Sequence, residues 1–434
     1  MTWNVWWRFG PWERRGEALA RVLERTQPDV VGLQEVWFDQ AGDGLANRLA
    51  ERLGMHVAAE PYRRPDRWHR RVGDDTHDVG LAVLSRWPVL TREVLPLPAA
   101  GGQDDGRIVL HTLLDAPTGP LPFFTTHLNS APHESAVRCE QVTALASFVA
   151  RGARGHAFPP VVTGDHNALP DSDEMRLLGG YRTAPAAGGQ VLLDAWEHAA
   201  PDAPAATWDA ANPYVARTFP LSSRVDYVHV GLTGPGGLGR VHAVRRAGDG
   251  PVDEVWPSDH AAVVADLTSH AVDPDVELPQ PKEGERWAVG ALIRNERGEV
   301  FAQKRGPDRR LFPDSWDVVG GHVEVGEDLL VALAREVEEE TGWHLRRVRR
   351  LVGVSTWTGD DGDGLRHEAD FVVDVAGDLE RPVLEAGKHT AYRWFGVDDL
   401  ERLKENRDAG DTFIHDLVAA ALDEPGRAAA DRQR

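Results

Sequence analysis

The sequence predicts a chain of two domains, both of mixed helix and strand (α+β or α/β), from three observations. The chain has 434 residues, too many for one compact core, since domains usually span about 100–200 residues. Residues 268–284 are rich in proline and acidic side chains and have no apolar period, which is typical of an extended linker. On both sides of this segment, strand-length apolar runs alternate with helical periods. We therefore predict domains at 1–267 and 285–422, and a disordered tail at 423–434.

The first domain combines many short strands with a few helices. Trp12–Thr26 and Ser135–Ala150 place apolar side chains on one face, as an amphipathic helix does. Many strands with interspersed helices favour two packed sheets flanked by helices. The predicted strands are Asp29–Glu35, Gly80–Ser85, Leu121–Thr126, Pro160–Thr163, Val225–Val230 and His260–Ala265.

Polar side chains lie at the ends of these strands. Glu35 ends one strand, His127 follows another, and Asp165 and Asn167 follow a third. A strand end can hold such a side chain rigidly in a shared cleft, and carboxylate or amide oxygens suit Mg²⁺ or Mn²⁺. Taken alone, Asp165 and Asn167 are equally consistent with turn residues, and a lone histidine is more often structural than catalytic.

Seven short motifs occur in an order that resembles the endonuclease/exonuclease/phosphatase superfamily. The resemblance covers about Thr2–Leu267 and implies a four-layered α/β/β/α sandwich. Asn4 has three residues ahead of it, so either the first strand is short or the true start lies upstream of Met1. The motifs are Trp3-Asn4-Val5, Leu33-Gln34-Glu35-Val36, Gly80-Leu81-Ala82-Val83-Leu84-Ser85-Arg86, Thr126-His127-Leu128-Asn129, Gly164-Asp165-His166-Asn167, Ser223-Arg224-Val225-Asp226-Tyr227 and Ser258-Asp259-His260.

This resemblance implies a metal-dependent phosphodiesterase or phosphatase. Glu35, helped by Asn4, would hold a divalent cation on the phosphate, with Asp259 as a second candidate ligand. Asp165 would orient or deprotonate the attacking water, and Asn167 would hydrogen-bond the pentavalent phosphorus. An in-line displacement needs these components together with donors aimed at the developing negative charge.

The same resemblance implies the hydrogen-bond donors of the site. His260 would donate to a phosphate oxygen, and Asp226 would fix its tautomer and charge. His127 would protonate the leaving oxygen or stabilise its charge. Asn129 and Arg224 would bind the substrate.

The second domain contains a more specific motif. The pattern G-x5-E-x7-R-E-U-x-E-E-x-G-U is met except at its last position, where Trp343 replaces the usual aliphatic residue. Three of its glutamates share one face of a helix predicted at Leu329–Thr341, a crowding that costs stability unless a cation neutralises it. The motif resembles the Nudix box. Its residues here are Gly321, Glu327, Arg335, Glu336, Val337, Glu339, Glu340, Gly342 and Trp343.

The Nudix resemblance covers roughly Arg286–Leu422 and implies an α/β/α sandwich with a last helix near Asp398–Leu403. It implies hydrolysis of a diphosphate linkage in a nucleoside diphosphate joined to another group. The glutamates would hold Mg²⁺, one of them or Glu327 would be the base, and Arg335 would orient them. Substrate specificity lies outside the box, where the aromatics of Phe312–Trp316 and Thr356–Thr358 could stack a base or belong to the core. The glutamates concerned are Glu336, Glu339 and Glu340.

Composition limits the partners. The formal net charge is −21, which repels nucleic acid phosphates unless a local basic surface overcomes it. We therefore expect nucleotides or other phosphoester small molecules as substrates. Arg63–Arg71 is a basic, aromatic segment, predicted as a loop, that either grips a phosphate or is simply solvated. No run approaches the roughly 20 apolar residues of a membrane span, and the N-terminus lacks signal-peptide features. We expect no membrane association and a cytoplasmic location.

The preferred interpretation is a bifunctional hydrolase, with the products of the second domain as one possible source of substrate for the first. Two alternatives stay open. One is a repair nuclease joined to nucleotide-pool clean-up. The other is a Nudix module that senses a nucleotide without cleaving it, against which the intact glutamate set argues.

Overall fold

The computed structural model describes residues 1–99, 106–218, 221–358 and 364–423. Contacts between Cα atoms divide the chain into two compact units, Met1–Thr268 and Ser269–Arg434. Apart from Asp423, the tail predicted at 423–434 lies outside the described residues. In the described part of the chain, no helix is both long enough and apolar enough to cross a bilayer.

The first unit alternates strands and helices along the chain, and two short 3₁₀ helices lie at Ala195–His198 and Pro235–Gly237. Its strands are β1 (Thr2–Asn4), β2 (Val30–Phe38), β3 (His56–Pro61), β4 (Asp78–Ser85), β5 (Val89–Pro96), β6 (Ile108–Leu114), β7 (Leu121–His127), β8 (Val161–Asp165), β9 (Leu192–Asp194), β10 (Asp226–Gly231), β11 (Val241–Ala247) and β12 (Ala262–Leu267). Its helices are α1 (Trp12–Thr26), α2 (Leu45–Leu53), α3 (Asp66–Val72), α4 (Ser135–Gly152), α5 (Asp173–Gly179) and α6 (Pro213–Ala216).

These strands form two six-stranded sheets, in the orders β11-β12-β1-β2-β4-β3 and β5-β6-β7-β8-β10-β9. The sheets pack face to face. A Cβ atom on Gly32 of β2 would lie 2.4 Å from the Thr163 hydroxyl and 2.7 Å from the Thr125 hydroxyl of the second sheet. Gln34 donates its Nε2 to Thr125 Oγ1 across the same gap, at 2.9 Å. The prediction of two packed sheets is confirmed.

Helices cover the outer side of the second sheet as their apolar periods predict. Val142, Leu145 and Val149 of α4 are buried in one core with Phe124 and Val162 of the strands beneath. Helix α1 runs over the predicted residues, and its Leu19 and Leu23 are buried. The segment predicted as a basic loop differs from expectation, because Asp66–Val72 forms α3.

The second unit contains strands β13 (Ala271–Val272), β14 (Arg286–Ile293), β15 (Val300–Arg305), β16 (Trp316–Asp317), β17 (Val319–His322), β18 (His344–Thr358), β19 (Leu365–Ala376) and β20 (His389–Phe395). Its helices are α7 (Leu329–Thr341), α8 (Phe413–Leu422) and a 3₁₀ helix at Val397–Lys404. The strands form a five-stranded sheet, β13-β18-β19-β14-β17, and a three-stranded sheet, β16-β15-β20.

Two apolar cores lie on opposite sides of the larger sheet of this unit. Leu333 and Val337 of α7 pack against Val289 and Phe371 on one side. Residues of α8, which the sequence did not predict, pack with Leu292 and Val372, whose side chains point to the other side. The predicted last helix near Asp398–Leu403 is a 3₁₀ helix instead.

The segment 268–284 differs from the expected unpacked linker. Ala271–Val272 forms β13, which pairs in parallel with β18 at Arg347 and Val348. Val276 and Leu278 also pack against the α7 core. The segment therefore belongs to the edge of the second unit, because β13 pairs with β18 and Val276 and Leu278 contact the α7 core.

Candidate functional sites

Three polar residues of the first unit meet because their strands are adjacent and in register. His127 ends β7 and is paired across the sheet with Asp165, which ends β8. Asp226 begins the antiparallel strand β10 and is paired with Asp165 from the other side. His260 precedes β12 of the opposite sheet and joins this cluster. All four side chains are buried.

His260 and Asp226 form a buried ion pair. His260 Nδ1 donates to Asp226 Oδ2 at 2.8 Å, and His260 Nε2 lies 3.8 Å from Asp165 Oδ2. Burial acts to lower the pKa of His260, but the carboxylates of Asp226, Asp259 and Asp165 together raise it well above its ordinary value. The three carboxylates therefore favour the protonated form of His260, which faces Asp165.

The pKa of His127 is shifted in the opposite direction to that of His260. Its Nε2 lies 3.3 Å from Asp165 Oδ2, and its Nδ1 lies 3.2 Å from the Tyr62 hydroxyl. Burial, followed by the positive charge of Arg107, lowers the pKa of His127 well below its ordinary value. A neutral histidine and a charged one thus approach the same carboxylate.

Asp165 is the centre of this arrangement. Its Oδ2 accepts a hydrogen bond from Asn4 Nδ2 at 3.0 Å, and its Oδ1 accepts one from the Asn167 amide at 2.9 Å. Asn167 reaches that position with a left-handed backbone, at φ 49°. Burial, followed by repulsion from Asp226, raises the pKa of Asp165 to about 7. A carboxylate with such a pKa is a competent base near neutral pH.

Acidic oxygens suited to a divalent cation line the same cavity. Glu35 lies at a β-bulge in β2 with φ 55°, which re-aims its side chain. Asp259 lies nearby, and burial, with a contribution from Glu35, raises the pKa of its carboxyl to about 6. Asn4 Oδ1 accepts from the Trp6 amide and Asn4 Nδ2 donates to Asp165, so Asn4 supports Asp165 in this structure. This donor set fits Mg²⁺ or Mn²⁺, and Asp165, Asp226 and His260 also have ligand atoms within 4.8 Å of one another.

The cavity around these residues has a volume of about 860 Å³. Besides the catalytic candidates, it is lined by aromatic and basic side chains that include Trp6, Arg67, Trp68, Arg71, Arg107 and Tyr214. The sequence singled out the α3 residues of this group. It did not indicate Arg107 or Tyr62, since one arginine before a strand and one tyrosine after another carry no local pattern.

Two predicted substrate-binding residues are not brought into the cavity. Asn129 donates to Glu134 Oε2 at 2.7 Å and accepts from Gln141 Nε2 at 3.2 Å. Arg224 forms an ion pair with Asp194 at 2.7 Å and lies over the Tyr227 ring. It lines a separate, smaller cavity. In this structure Asn129 and Arg224 contact protein groups.

In the second unit, the glutamate motif begins in a tight strand-to-helix loop. The Asp328 side chain caps α7 by accepting from the Leu330 and Val331 amides, and Gly342 ends the helix at φ 68°. Gly321 faces Glu336 so closely that a Cβ atom there would lie 2.2 Å from its Oε1. A side chain at this position would displace the Glu336 carboxylate.

Arg335 connects three of the box glutamates. It bonds Glu327 at 2.8 Å, Glu336 at 2.7 Å and Glu339 at 3.3 Å. Glu340 is held separately, since its Oε2 accepts from Gln303 Nε2 at 2.6 Å and from the Gly320 amide at 3.1 Å. Burial is the largest cause that raises the pKa of Glu340, to about 8, and it also raises that of Glu336.

The glutamates differ in exposure. Glu336 and Glu340 are buried, whereas the Glu339 side chain is 50% exposed. Trp343, the atypical box residue, is a core residue against Phe301. Trp316 is also buried, while Trp357 is half-buried and donates to Glu368 Oε2 at 3.2 Å. The sequence did not indicate the half-buried Glu368 or the buried Asp370.

Family comparisons agree with these two sites. The model of the Endonuclease/Exonuclease/phosphatase family matches residues 1–260, and that of the NUDIX domain matches residues 284–417. A nucleoside triphosphatase NudI of Escherichia coli is 37% identical over 126 residues, 27% of this chain and 85% of that protein. The chain therefore belongs to the endonuclease/exonuclease/phosphatase family in its first unit and to the Nudix family in its second. Both are families of hydrolases.

Other relatives match shorter parts. An m7GpppN-mRNA hydrolase, NUDT17 of Xenopus laevis, is 41% identical over 73 residues, 16% of this chain and 25% of that protein. Another E. coli NudI is 39% identical over 77 residues, so the chain spans about half of that relative. Among solved structures, the human Nocturnin catalytic domain is 20% identical with a TM-score of 0.48, covering 61% of this chain and 92% of that one. Truncated Caenorhabditis elegans TDP2 is 20% identical with a TM-score of 0.46, covering 60% and 94%.

Proposed function

We propose that the first unit is a metal-dependent phosphoesterase. The observation that carries this proposal is the contact of one carboxylate, Asp165, with a neutral histidine and a charged one, His127 and His260. Glu35 and Asp259 would hold a divalent cation, which when bound polarises the phosphate and stabilises its negative charge.

The side chains supply the proton chemistry. Asp165 accepts a proton from water, whose oxygen forms the new bond to phosphorus. His260, kept charged by Asp226, donates to a non-bridging phosphate oxygen. In this mechanism the Tyr62 hydroxyl is the donor in its 3.2 Å contact with His127 Nδ1. The His127 proton is then on Nε2, where it stabilises the leaving oxygen as the ester bond breaks.

Phosphate release from mono- and diester substrates with Mg²⁺ or Mn²⁺ tests this proposal. Asp165→Asn should remove the activity, and EDTA should do the same to the wild type. The same assay on nicked, abasic and single-stranded DNA at low salt tests the nuclease alternative. Turnover that survives in Asp165→Asn would refute the role of the cluster.

We propose that the second unit hydrolyses a diphosphate bond in a nucleotide. Supporting this, the buried carboxylates Glu336 and Glu340 are aligned by Arg335, Gln303 and a backbone amide, and relatives are named as a nucleoside triphosphatase and an mRNA hydrolase. Glu336, Glu339 and Glu340 would hold Mg²⁺, which when bound neutralises the diphosphate. Arg335 orients Glu327, Glu336 and Glu339 by ion pairing.

A panel of ADP-ribose, NADH, UDP-sugars, dNTPs and oxidised dNTPs would identify the substrate class. Loss of turnover in Glu340→Gln but not in Asp165→Asn assigns a diphosphatase to the second unit. Tight binding of a nucleotide without turnover in the wild type would favour the sensing alternative. A combined, sequential function additionally requires that the first unit releases phosphate from a product of the second.

A further inference from the structure

The cavity of the first unit is lined by charges of both signs. Glu35, Asp165 and Asp259 supply acidic groups, two of which are proposed to hold a cation. Arg107 and the α3 arginines supply basic groups. A basic surface inside a chain of net charge −21 is suited to a local anionic ligand.

Arg107 is a buried residue of this surface with unused hydrogen-bonding capacity. It is 3% exposed, yet its Nε and Nη1 have no hydrogen-bond partner among the residues that the structure describes. Two unpaired donor nitrogens at that burial are costly, because their desolvation is not compensated.

Two other buried arginines of the same unit show how this chain normally satisfies the group. Arg15 donates to five backbone carbonyls, including those of Val5 and Pro257. Arg138 also lines the cavity, but it bonds Glu174 at 2.7 Å and three carbonyls. Arg107 instead lies over the rings of Trp68 and Tyr62, at 5.0 and 5.6 Å, which fix its position without accepting its Nε and Nη1 hydrogens.

Arg107 lies near the residue proposed to act on the leaving oxygen. The Tyr62 ring beneath it carries the hydroxyl that contacts His127 Nδ1 at 3.2 Å. His127 is the group assigned to the leaving oxygen, so Arg107 lies on the leaving-group side. His260 approaches Asp165 from the segment that precedes β12, with its Nε2 3.8 Å from Asp165 Oδ2.

We propose that Arg107 binds a second anionic group on the leaving group, so that the preferred substrates are phosphoesters whose leaving portion carries another phosphate. This inference rests on the proposed phosphoesterase function, from which it takes the direction of the leaving group. A guanidinium with two free donors matches the oxygens of a phosphate. Trp68 and Tyr62 hold the guanidinium in place before the ligand arrives.

Linear diol bisphosphates of increasing length, each compared with its monophosphate, test this proposal on the full chain. Binding is measured by calorimetry in EDTA, and phosphate release is measured with Mg²⁺. The wild type should bind the best bisphosphate about tenfold more tightly than its monophosphate. Arg107→Met and Arg107→Gln should abolish that preference, while Arg92→Gln, which removes an exposed arginine of β5, should retain it.

Thermal unfolding separates binding from a structural role. Because Arg107 Nε and Nη1 are buried without a hydrogen-bond partner in the described part of the chain, Arg107→Met should leave the melting temperature unchanged or raise it. A lower melting temperature with an unchanged bisphosphate preference in both variants would overturn the proposal, as would a wild type without any preference. Binding in EDTA does not depend on turnover, so a failure of the phosphoesterase function alone would appear as a retained binding preference without phosphate release.

Discussion

His260 donates its Nδ1 hydrogen to Asp226 Oδ2 over 2.8 Å, with both side chains buried at the meeting point of the two sheets. The strand register places Asp226 directly beside Asp165. The pair therefore orients a cationic donor towards the carboxylate proposed to receive the proton of water. A charge held in this way affects the transition state more than substrate binding, because negative charge on the phosphate oxygens develops during the reaction.

Asp226→Asn should consequently lower kcat and leave KM nearly unchanged. The amide preserves the shape of the side chain but removes the charge that favours the protonated imidazole. We expect a decrease of about 10²- to 10⁴-fold in kcat for phosphate release. Asp266→Asn, which alters an exposed aspartate paired with Arg245, is the matched control. Equal kcat values in the two variants would contradict this role for the ion pair.

Because carboxylates of the second unit are proposed to bind a cation, the thermal stability of this unit should depend on Mg²⁺. A cation that binds only the folded state raises its stability, and Glu340 is one of its proposed ligands. Mg²⁺ should raise the melting temperature of this unit by about 5 °C or more in the wild type and by much less in Glu340→Gln. Glu338→Gln, on the exposed side of α7, should respond as the wild type does. An equal Mg²⁺ response in Glu340→Gln would remove that residue from the metal site.

The first site was predictable where it depends on strand ends and on motif order. His127, Asp165 and Asp226 come together because β7, β8 and β10 are neighbours in register, and each residue stands at a recognisable strand terminus. Arg107 was not predictable in this way. Its burial depends on Trp68 and on Tyr62, which lie far from it in sequence.

In helix α7, too, some features follow from the local sequence and others depend on residues distant in the chain. Its apolar period and Gly342 predict its limits, Leu329–Thr341, as observed. The spacing of the glutamates also predicts their shared side. Their unequal burial follows from contacts with other strands, in particular the Gln303 bond to Glu340. Helix α3 escaped prediction because seven residues with one buried side chain, Trp68, give no helical period.

A larger side chain in place of Gly321 should disturb the glutamate site by steric contact. Alanine at this position would bring a Cβ atom to 2.2 Å from Glu336 Oε1, so the carboxylate must move. Because small displacements of catalytic groups are costly, we expect diphosphate hydrolysis in Gly321→Ala to fall by about 10²-fold. Gly353→Ala is the control, since no atom lies within 4 Å of the Cβ position there. Wild-type turnover in Gly321→Ala would show that Glu336 does not need its observed position.

Ionisation of the buried Asp370 carboxyl should make the stability of the second unit depend on pH. Burial, followed by repulsion from Glu368 and Asp317, raises its pKa from 3.8 to about 8, and its Oδ1 has no hydrogen-bond partner in the described part of the chain. Folding therefore favours the neutral carboxyl. The stability associated with that form is complete below the unfolded-state pKa and is lost as the pH rises through the folded-state pKa.

Asp370→Asn stays neutral, so its advantage over the wild type should grow from about pH 4 to about pH 8 and then level off. We expect a gain on the order of 2 kcal/mol at the upper end, because one pKa unit corresponds to about 1.4 kcal/mol and part of the shift is shared with Glu368. Denaturant unfolding at both pH extremes measures it. Asp374→Asn, on the same strand but ion-paired with Arg349, should show no such growth. An advantage independent of pH would mean that the gain comes from packing, since only ionisation of the buried carboxyl makes it depend on pH.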